Sequence, residues 1–409
     1  MLKFKTIEDL DLQGKTLIIR EDYNVPIKDG IVTDESRVIE SIETIKYALS
    51  NGTKYLILLS HMGKIKTEED KKENDLRVVI PILEKYLKVK VDFLEHTSGE
   101  ELIKEIEQSQ TNGFKVGLVQ NTRYEDLNNK RESKNSEELG KFYASLADYA
   151  IFDGWGVSHR NNASTSSMFM HSNSAVGYLV LRELSKINGF LEEEATPFTI
   201  VMGGKKIEDK IPVIKNLIDK CDKLVIGGAM AFTFLKAKGY NVGKSLVDEE
   251  SLEFCKELLS KYSDKIVLPI DFVTNKKDNC KIEEFEEDEI GYDIGKNTIN
   301  KFIEVLRNSK KILMNGTMGK NEETKYENGT KEIFMFISDL AQEGVKVLVG
   351  GGDSASAAFK YMQTDKVYHI STGGGATLKY LGNELGDIFS IITAQSKENG
   401  IKKIKKISN

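Results

Sequence analysis

Five apolar, strand-like runs in the second half of the chain each end in glycine: FTIVMGG (198–204), LVIGG (224–228), ILMNG (312–316), VLVGGG (347–352) and HISTGGG (369–375). Continuous apolar runs of this length mark strands buried on both faces. Amphipathic stretches of helical period lie between them, so the chain is restricted to parallel sheets covered by helices. In open sheets of that kind ligands bind beyond the carboxyl ends of the strands, where glycine lets backbone N–H groups approach a phosphate or a flat ring. The second half therefore reads as a nucleotide holder.

The first half keeps the strand rhythm but changes the endings. TLIIR (16–20), YLILLSH (55–61), KVGLVQNTR (115–123) and YAIFDGWGVSHR (149–160) lead to Arg20, His61, Arg123 and Arg160. Guanidinium groups bind phosphate and carboxylate in bidentate fashion, so these endings point to a small, multiply charged anion. The fold class is α/β, with two Rossmann-like, doubly wound parallel-sheet lobes joined by a long helix. Residues 175–193 place Val180, Leu184, Ile187 and Leu191 at helical spacing, which makes that stretch the connector. The expected organisation is 1–174 as an acid-binding lobe, 175–193 as the interdomain helix, 194–386 as a nucleotide-binding lobe and 387–409 as a C-terminal segment returning to the first lobe.

A net charge of −6 argues against a protein that coats nucleic acid. No apolar run reaches the ~18–20 residues of a membrane span and the start of the chain lacks a secretory h-region, so a cytoplasmic protein without membrane or nucleic-acid partners is expected. Three cysteines without CxxC or Cys/His spacing read as buried or incidental thiols. The basic end IKKIKKISN reads as a solvated terminus.

The motifs that carry chemistry cluster at strand ends. GYNVGKS (239–245) resembles a P-loop but has three residues between its glycines where four are needed, and it follows a helix. GGKKIEDK (203–210) sets Lys206 and Lys210 four apart, on one face of a helix starting there, where helix amides and lysines attract phosphate. VGGGDSASAAF (349–359) has a helix opening at Ser354, with Asp353 at the strand tip as either an N-cap or a ligand of phosphate-bound Mg²⁺. In the first half, His61 opens SHMGK, and Asp22 and Asn24 in REDYNVP are placed to hold a hydroxyl. Arg37, in TDESR, carries no signal by pattern alone.

Taken in order, REDYNVP, Arg37, SHMGK, QNTRY (120–124), DGWGVSHRNNAST (153–165), GGKKIEDK, GGAMAFTFLKAKG (227–239), DIG (293–295), MNGTMG (314–319), VGGGDS (349–354) and STGGGAT (371–377) resemble the phosphoglycerate kinase family from about residue 5 to 390. The resemblance implies reversible phosphoryl transfer between 1,3-bisphosphoglycerate and ADP, a Mg²⁺-nucleotide cofactor site and a monomer whose lobes close on their substrates. It assigns Asp22 and Asn24 to the glycerate hydroxyl, and Arg37, His61, Lys64, Arg123 and Arg160 to the anionic ends of the substrate. On the nucleotide side it implies that Gly204, Gly227, Gly228 and Gly291 flank the adenine, Asn315 reaches the phosphates, Glu322 the ribose and Lys210 the α-phosphate. Asp353 would hold Mg²⁺, and Ser354 with the amides of Gly350, Gly351, Gly352 and Gly375 would cradle phosphates. Arg37 and Lys206 form the pair expected to stabilise the moving phosphoryl group, together with Gly352 and Gly375.

Several positions differ from the family pattern. Lys64 replaces an arginine, Gln120 a glutamate, Phe152 an asparagine, Glu21 a small apolar residue and Glu208 a serine, while Lys205 adds a charge and MNGTMGKNE differs at four positions. These departures leave two alternatives: a paralogous kinase for another small carboxylic or phosphorylated acid, and a catalytically silent nucleotide- or metabolite-binding protein.

Overall fold

The computed structural model describes residues 4–396, so the basic end at 401–409 lies outside it. The chain divides into two compact units, one made of residues up to Leu184 together with those from Leu385 onward, the other of Ser185–Glu384. The division falls inside the helix Tyr178–Glu192. That helix starts later than residue 175, because Ser174–Val176 is a short strand paired with Tyr149–Phe152. Gly177 explains the boundary. A Cβ there would sit 2.4 Å from the Asp153 carboxylate, whose Oδ1 accepts the N–H of Val180 and so caps the helix start.

The first unit is built on six parallel strands: β1 (Thr16–Arg20), β2 (Tyr55–Leu59), β3 (Val91–Leu94), β4 (Val116–Val119), β5 (Tyr149–Phe152) and β6 (Ser174–Val176). Their spatial order is β3-β4-β2-β1-β5-β6. Arg20 is level with Leu59 on one side and Phe152 on the other, so the loops starting at Glu21, Ser60 and Asp153 leave the sheet along one rim. The strand order reverses between β1 and β5, which makes that rim the ligand crevice of this unit.

The second unit holds β7 (Phe198–Met202), β8 (Lys223–Ile226), β9 (Ile266–Val267), β10 (Lys311–Asn315), β11 (Lys346–Gly350) and β12 (His369–Ser371), all parallel, in the order β9-β8-β7-β10-β11-β12. This is the doubly wound order of a dinucleotide-type sheet, with its switch point between β7 and β10. Met202 pairs with Ile226 and Asn315, and Gly350 with Asn315 and Ser371, so all five glycine-terminated runs emerge at one rim. A small antiparallel sheet of Asp271–Thr274, Cys280–Lys281 and Gly291–Ile294 is an addition that the apolar rhythm did not signal.

Strands β2, β4, β7 and β10 are buried along their whole length, and each fully buried aliphatic side chain contributes about 1.5–3 kcal/mol. The three cysteines are free and buried. Among the described residues no helix is long and apolar enough to cross a membrane.

Candidate functional site

In the first unit the loop after β1 carries Asp22. Its Oδ2 accepts from Arg37 Nη1 at 2.7 Å, and Arg37 lies in the first turn of the helix Ser36–Ser50. Gly156 permits this placement, since a Cβ there would lie 2.3 Å from Asp22 Oδ2. The other carboxylate oxygen is 3.7 Å from His61 Nδ1. His61 is buried, and its Nε2 accepts from Arg160 Nη1 at 3.2 Å. A guanidinium has no lone pair to offer, so the imidazole proton resides on Nδ1, facing Asp22. Burial first, then the fields of Arg20, Arg160, Arg123 and Arg37, hold this imidazole well below its ordinary value, and the ring is neutral.

Arg20 differs from the other three arginines. Fully buried, it donates from Nε to Ser164 Oγ at 2.7 Å and from Nη1 to the Glu21 carbonyl, with Glu132 as its counter-charge. Glu132 in turn accepts from the Ser164 N–H at 3.1 Å. Arg20 is therefore an internal brace, and its strand-end position misled because Glu132 reaches it from a distant loop. Arg37, Arg123 and Arg160 remain, with Asp22 as their close carboxylate. Burial and the field of Arg123 both lower the pKa of Arg160, the mark of cations gathered without enough counter-charge. The Arg123 side chain makes no hydrogen bond among the described residues. Asn24 uses its Oδ1 on the Gly63 N–H at 2.9 Å, leaving its amide N–H₂. The Lys64 ammonium is exposed and unpaired among the described residues.

Asn121, which has no role legible in QNTRY, locks the site together. Its Oδ1 accepts from the N–H groups of Met62 and Arg123, both at 3.1 Å, and its Nδ2 donates to the carbonyls of Met62 at 2.7 Å and Asn74 at 2.9 Å. Gln120 is its neighbour in function: Oε1 accepts from Leu76 N–H at 3.1 Å and Asn121 N–H at 2.8 Å. An amide oxygen thus fills an acceptor role that a carboxylate would fill equally. Phe152 is buried in an aromatic cluster, edge-on to Phe169 at 5.6 Å and Phe389 at 6.5 Å. Neither departure touches the cation cluster. Glu21 is also buried, and both its carboxyl oxygens lack hydrogen-bond partners. Burial and the neighbouring Asp153 push its pKa well above the carboxylate range.

In the second unit the glycine loops divide into two kinds. Gly203 N–H donates to the Asn315 carbonyl at 2.8 Å, Gly204 N–H to Thr317 at 2.7 Å, and Gly228 N–H to Met318 at 3.0 Å. A Cβ at Gly203, Gly227, Gly228 or Gly316 would strike these same loops at 2.2–2.4 Å, so glycine here serves loop-on-loop packing. Gly291 lies on the Phe232 ring, 2.1 Å from an added Cβ, with its N–H on Ser245 Oγ at 3.0 Å. By contrast, a Cβ on Gly352 or Gly375 would meet nothing within 4 Å. These two begin the helices Gly352–Tyr361 and Gly375–Leu381. A Cβ on Gly374 would lie 3.9 Å from the Gly352 nitrogen, so the two helix starts converge.

Gly351, at φ 103°, makes the turn from β11 into the helix, which opens at Gly352 rather than at Ser354. Ala355 N–H, bonded to the Gly351 carbonyl at 2.8 Å, is the first to be satisfied, leaving the N–H groups of Gly352, Asp353 and Ser354 for an anion. The buried Ser354 hydroxyl accepts the Gly316 N–H at 2.6 Å through its oxygen and keeps its own O–H to donate. Asn315 Nδ2 donates to the Gly350 carbonyl, so both polar side chains brace the loops.

Lys206 and Lys210 do not share a helix face. Lys206 precedes the turn Glu208–Lys210 and the helix Ile211–Leu217; it is 62% exposed and pairs with Glu208 at 3.1 Å. Lys210 is buried, donates from Nζ to the Lys206 carbonyl at 3.0 Å, and feels the charges of Asp209 and Asp353 against a burial that lowers its pKa. Asp353 and Glu322 are exposed. Leu246, directly after the Ser245 whose Oγ holds the Gly291 N–H, is 46% exposed.

A cluster of guanidiniums at the rim of one parallel sheet and bare helix starts beside lysines at the rim of another fit a phosphotransferase of the Rossmann-like α/β class. The model of the phosphoglycerate kinase family matches residues 7–384, and the chain belongs to that family. It is 43% identical to a phosphoglycerate kinase of Staphylococcus aureus (strain bovine RF122 / ET3-1), over 95% of this chain and 98% of the relative. Among solved structures it is similar to phosphoglycerate kinase from Coxiella burnetii, with TM-score 0.80 and 30% identity over 97% of this chain and 100% of the other. The enzyme from Pyrococcus horikoshii OT3 gives TM-score 0.82 and 25% identity over 96% and 99%. The activity is accordingly the reversible transfer of a phosphoryl group between 1,3-bisphosphoglycerate and ADP, a step of glycolysis. The alternatives of another acid or a silent binder are not favoured.

Proposed function

We propose that the cation cluster of the first unit holds the anionic ends of the glycerate substrate, with Arg37, Arg123 and Arg160 as direct ligands. Neutral His61 serves as a fixed acceptor that orients Arg160. The carrying observation is the gathering of three guanidiniums around one carboxylate, an arrangement that a dianionic ligand balances. Asp22 and the Asn24 amide hold the hydroxyl. Lys64, exposed as it stands, joins at the rim.

On the second unit the N–H groups of Gly352, Asp353, Ser354 and Gly375 cradle the phosphates, and Lys210 supplies a buried positive charge. The segments around Gly204, Gly227, Gly228 and Gly291, with Leu246, form the walls of the base site, and Glu322 reaches the ribose. Mg²⁺ would be held by Asp353. Asp353 is exposed at the helix start, and one carboxylate there with the substrate phosphates would hold a cation that keeps its waters and neutralises the phosphate charge.

Transfer needs no covalent enzyme intermediate. The β-phosphate oxygen of ADP bonds to the phosphorus of the acyl phosphate as the bond to the carboxylate oxygen breaks, and the carboxylate leaves with the electron pair and needs no proton. Reacting atoms must come within about 3–3.5 Å, and such positioning lowers a barrier by roughly 7–11 kcal/mol. Lys206 and Arg37 stabilise the equatorial oxygens in flight. The protein works as a cytoplasmic monomer. A coupled assay with ADP and 1,3-bisphosphoglycerate, beside a panel of other acyl phosphates, tests the reading: turnover with 1,3-bisphosphoglycerate should exceed that with the others, and equal or greater turnover with another acyl phosphate would contradict it.

A further inference from the structure

At the edge of the second unit's sheet, beside the edge strand β9, lies a cavity of about 370 Å³ that none of the glycine loops lines. Its walls include Leu235, Leu259, Leu268 and Ile282, which come from two helices and the segments flanking the antiparallel sheet. Lys238 and Lys301 stand in the same lining. Lys301 donates from Nζ to the Leu268 carbonyl at 3.1 Å, leaving two of its three N–H groups. The exposed Lys238 ammonium forms no hydrogen bond or ion pair among the described residues. Lys256, also in the lining, is matched by Glu253 at 2.6 Å, and the exposed Glu283, a further lining residue, makes no ion pair with Lys238 or Lys301.

Two ammonium groups with no carboxylate bonded to them, Lys238 exposed and Lys301 half-buried, border one hollow, so an anion that enters it meets both. Burial and the charge of Lys238 both lower the pKa of Lys301, and no charge acts in the other direction. The volume falls within the range of small-molecule sites, and the lining combines an aliphatic wall with polar and charged groups in about equal measure. We propose that this cavity binds a small organic anion, a carboxylate or phosphate carried on a compact hydrocarbon body, with Lys238 and Lys301 holding the head and the leucine wall the body. The site is separate from that of the nucleotide.

Octanoate, with octanol as its uncharged counterpart and acetate as the head without the body, tests this by isothermal titration of the full chain. Octanoate should bind at one site per chain, at least tenfold more tightly than octanol or acetate, and equally in the presence of saturating ADP. Lys238→Met and Lys301→Met should each weaken octanoate about tenfold while leaving turnover and thermal midpoint near those of the parent. Leu259→Trp, which fills the hollow without touching charge, should abolish binding and guards against loss of fold in Lys301→Met. Octanol binding as tightly as octanoate, competition by ADP, or lysine variants with unchanged affinity would each overturn the proposal.

Discussion

Arg160 donates from Nη1 to Nε2 of His61 at 3.2 Å, so the imidazole acts as an acceptor toward a cation and keeps its proton on the opposite nitrogen. Burial and four surrounding guanidiniums hold the ring neutral. His61 therefore should not titrate between pH 6.5 and 8, and nitrogen-15 spectra should show the Nδ1–H tautomer across that range. The folded value lies below the unfolded one of about 6.5. Its contribution to stability is then complete above that pH and is lost as pH falls toward the folded value. A protonation midpoint near 7 in the free protein would contradict this arrangement.

Glu21 gives the opposite sign. Its folded pKa is raised by burial and by Asp153, so the folded chain binds a proton that the unfolded chain releases near pH 4. Stability from this source is present at low pH and declines as pH rises through the folded value. Glu21→Leu removes a buried carboxyl with no hydrogen-bond partner and should raise stability by about 1–3 kcal/mol at pH 8, with less gain at pH 5. Denaturant melts at the two pH values read this directly; an equal or negative effect at pH 8 would contradict it.

The two kinds of glycine separate packing from binding. At Gly316, where φ is 88° and a Cβ would lie 2.2 Å from the Gly203 carbonyl oxygen, alanine should cost at least about 2 kcal/mol of stability. At Gly352, where a Cβ meets nothing within 4 Å, alanine should leave the melting temperature unchanged and weaken ADP binding several-fold. Thermal melts with and without ADP compare the two; the reverse ranking would show the loops to have been misjudged.

Lys206 pairs with Glu208 on an exposed surface, where such contacts contribute roughly 0–1 kcal/mol and break readily when a phosphate arrives. Lys206→Ala should lower kcat by about two orders of magnitude or more with little change in the KM for nucleotide, as for a group acting chiefly in the transition state. Glu208→Ala should change kcat less than about fivefold. Steady-state kinetics decide, and an unaffected kcat in Lys206→Ala removes this lysine from the mechanism.

The strands were legible because burial on both faces writes them as unbroken apolar runs, and the register that brings Met202, Ile226, Asn315 and Gly350 level turned sequence glycines into one rim. The partners of individual side chains were not legible. Arg20 looked like His61 or Arg123 at a strand end until Glu132, more than a hundred residues on, proved to be its counter-charge. That the Ser354 oxygen also holds the Gly316 N–H, and so braces a loop from another strand, had no mark in the sequence. Gln120 and Phe152 suggested an altered substrate, whereas their contacts are with backbone amides and core aromatics. Tertiary pairing of this sort leaves no period or spacing in the chain. The carboxyl end of each strand is what local sequence announces; which atoms remain free there is decided by loops far away.

Whether Arg37, Arg123 and Arg160 together bind the substrate acid is read by titration calorimetry of 3-phosphoglycerate into the parent and into Arg123→Met. A charge-assisted hydrogen bond contributes about 1.5–3 kcal/mol, so the variant should bind at least tenfold more weakly, with an unchanged melting temperature and a smaller loss of affinity on adding salt. Equal affinity in parent and variant would contradict the account.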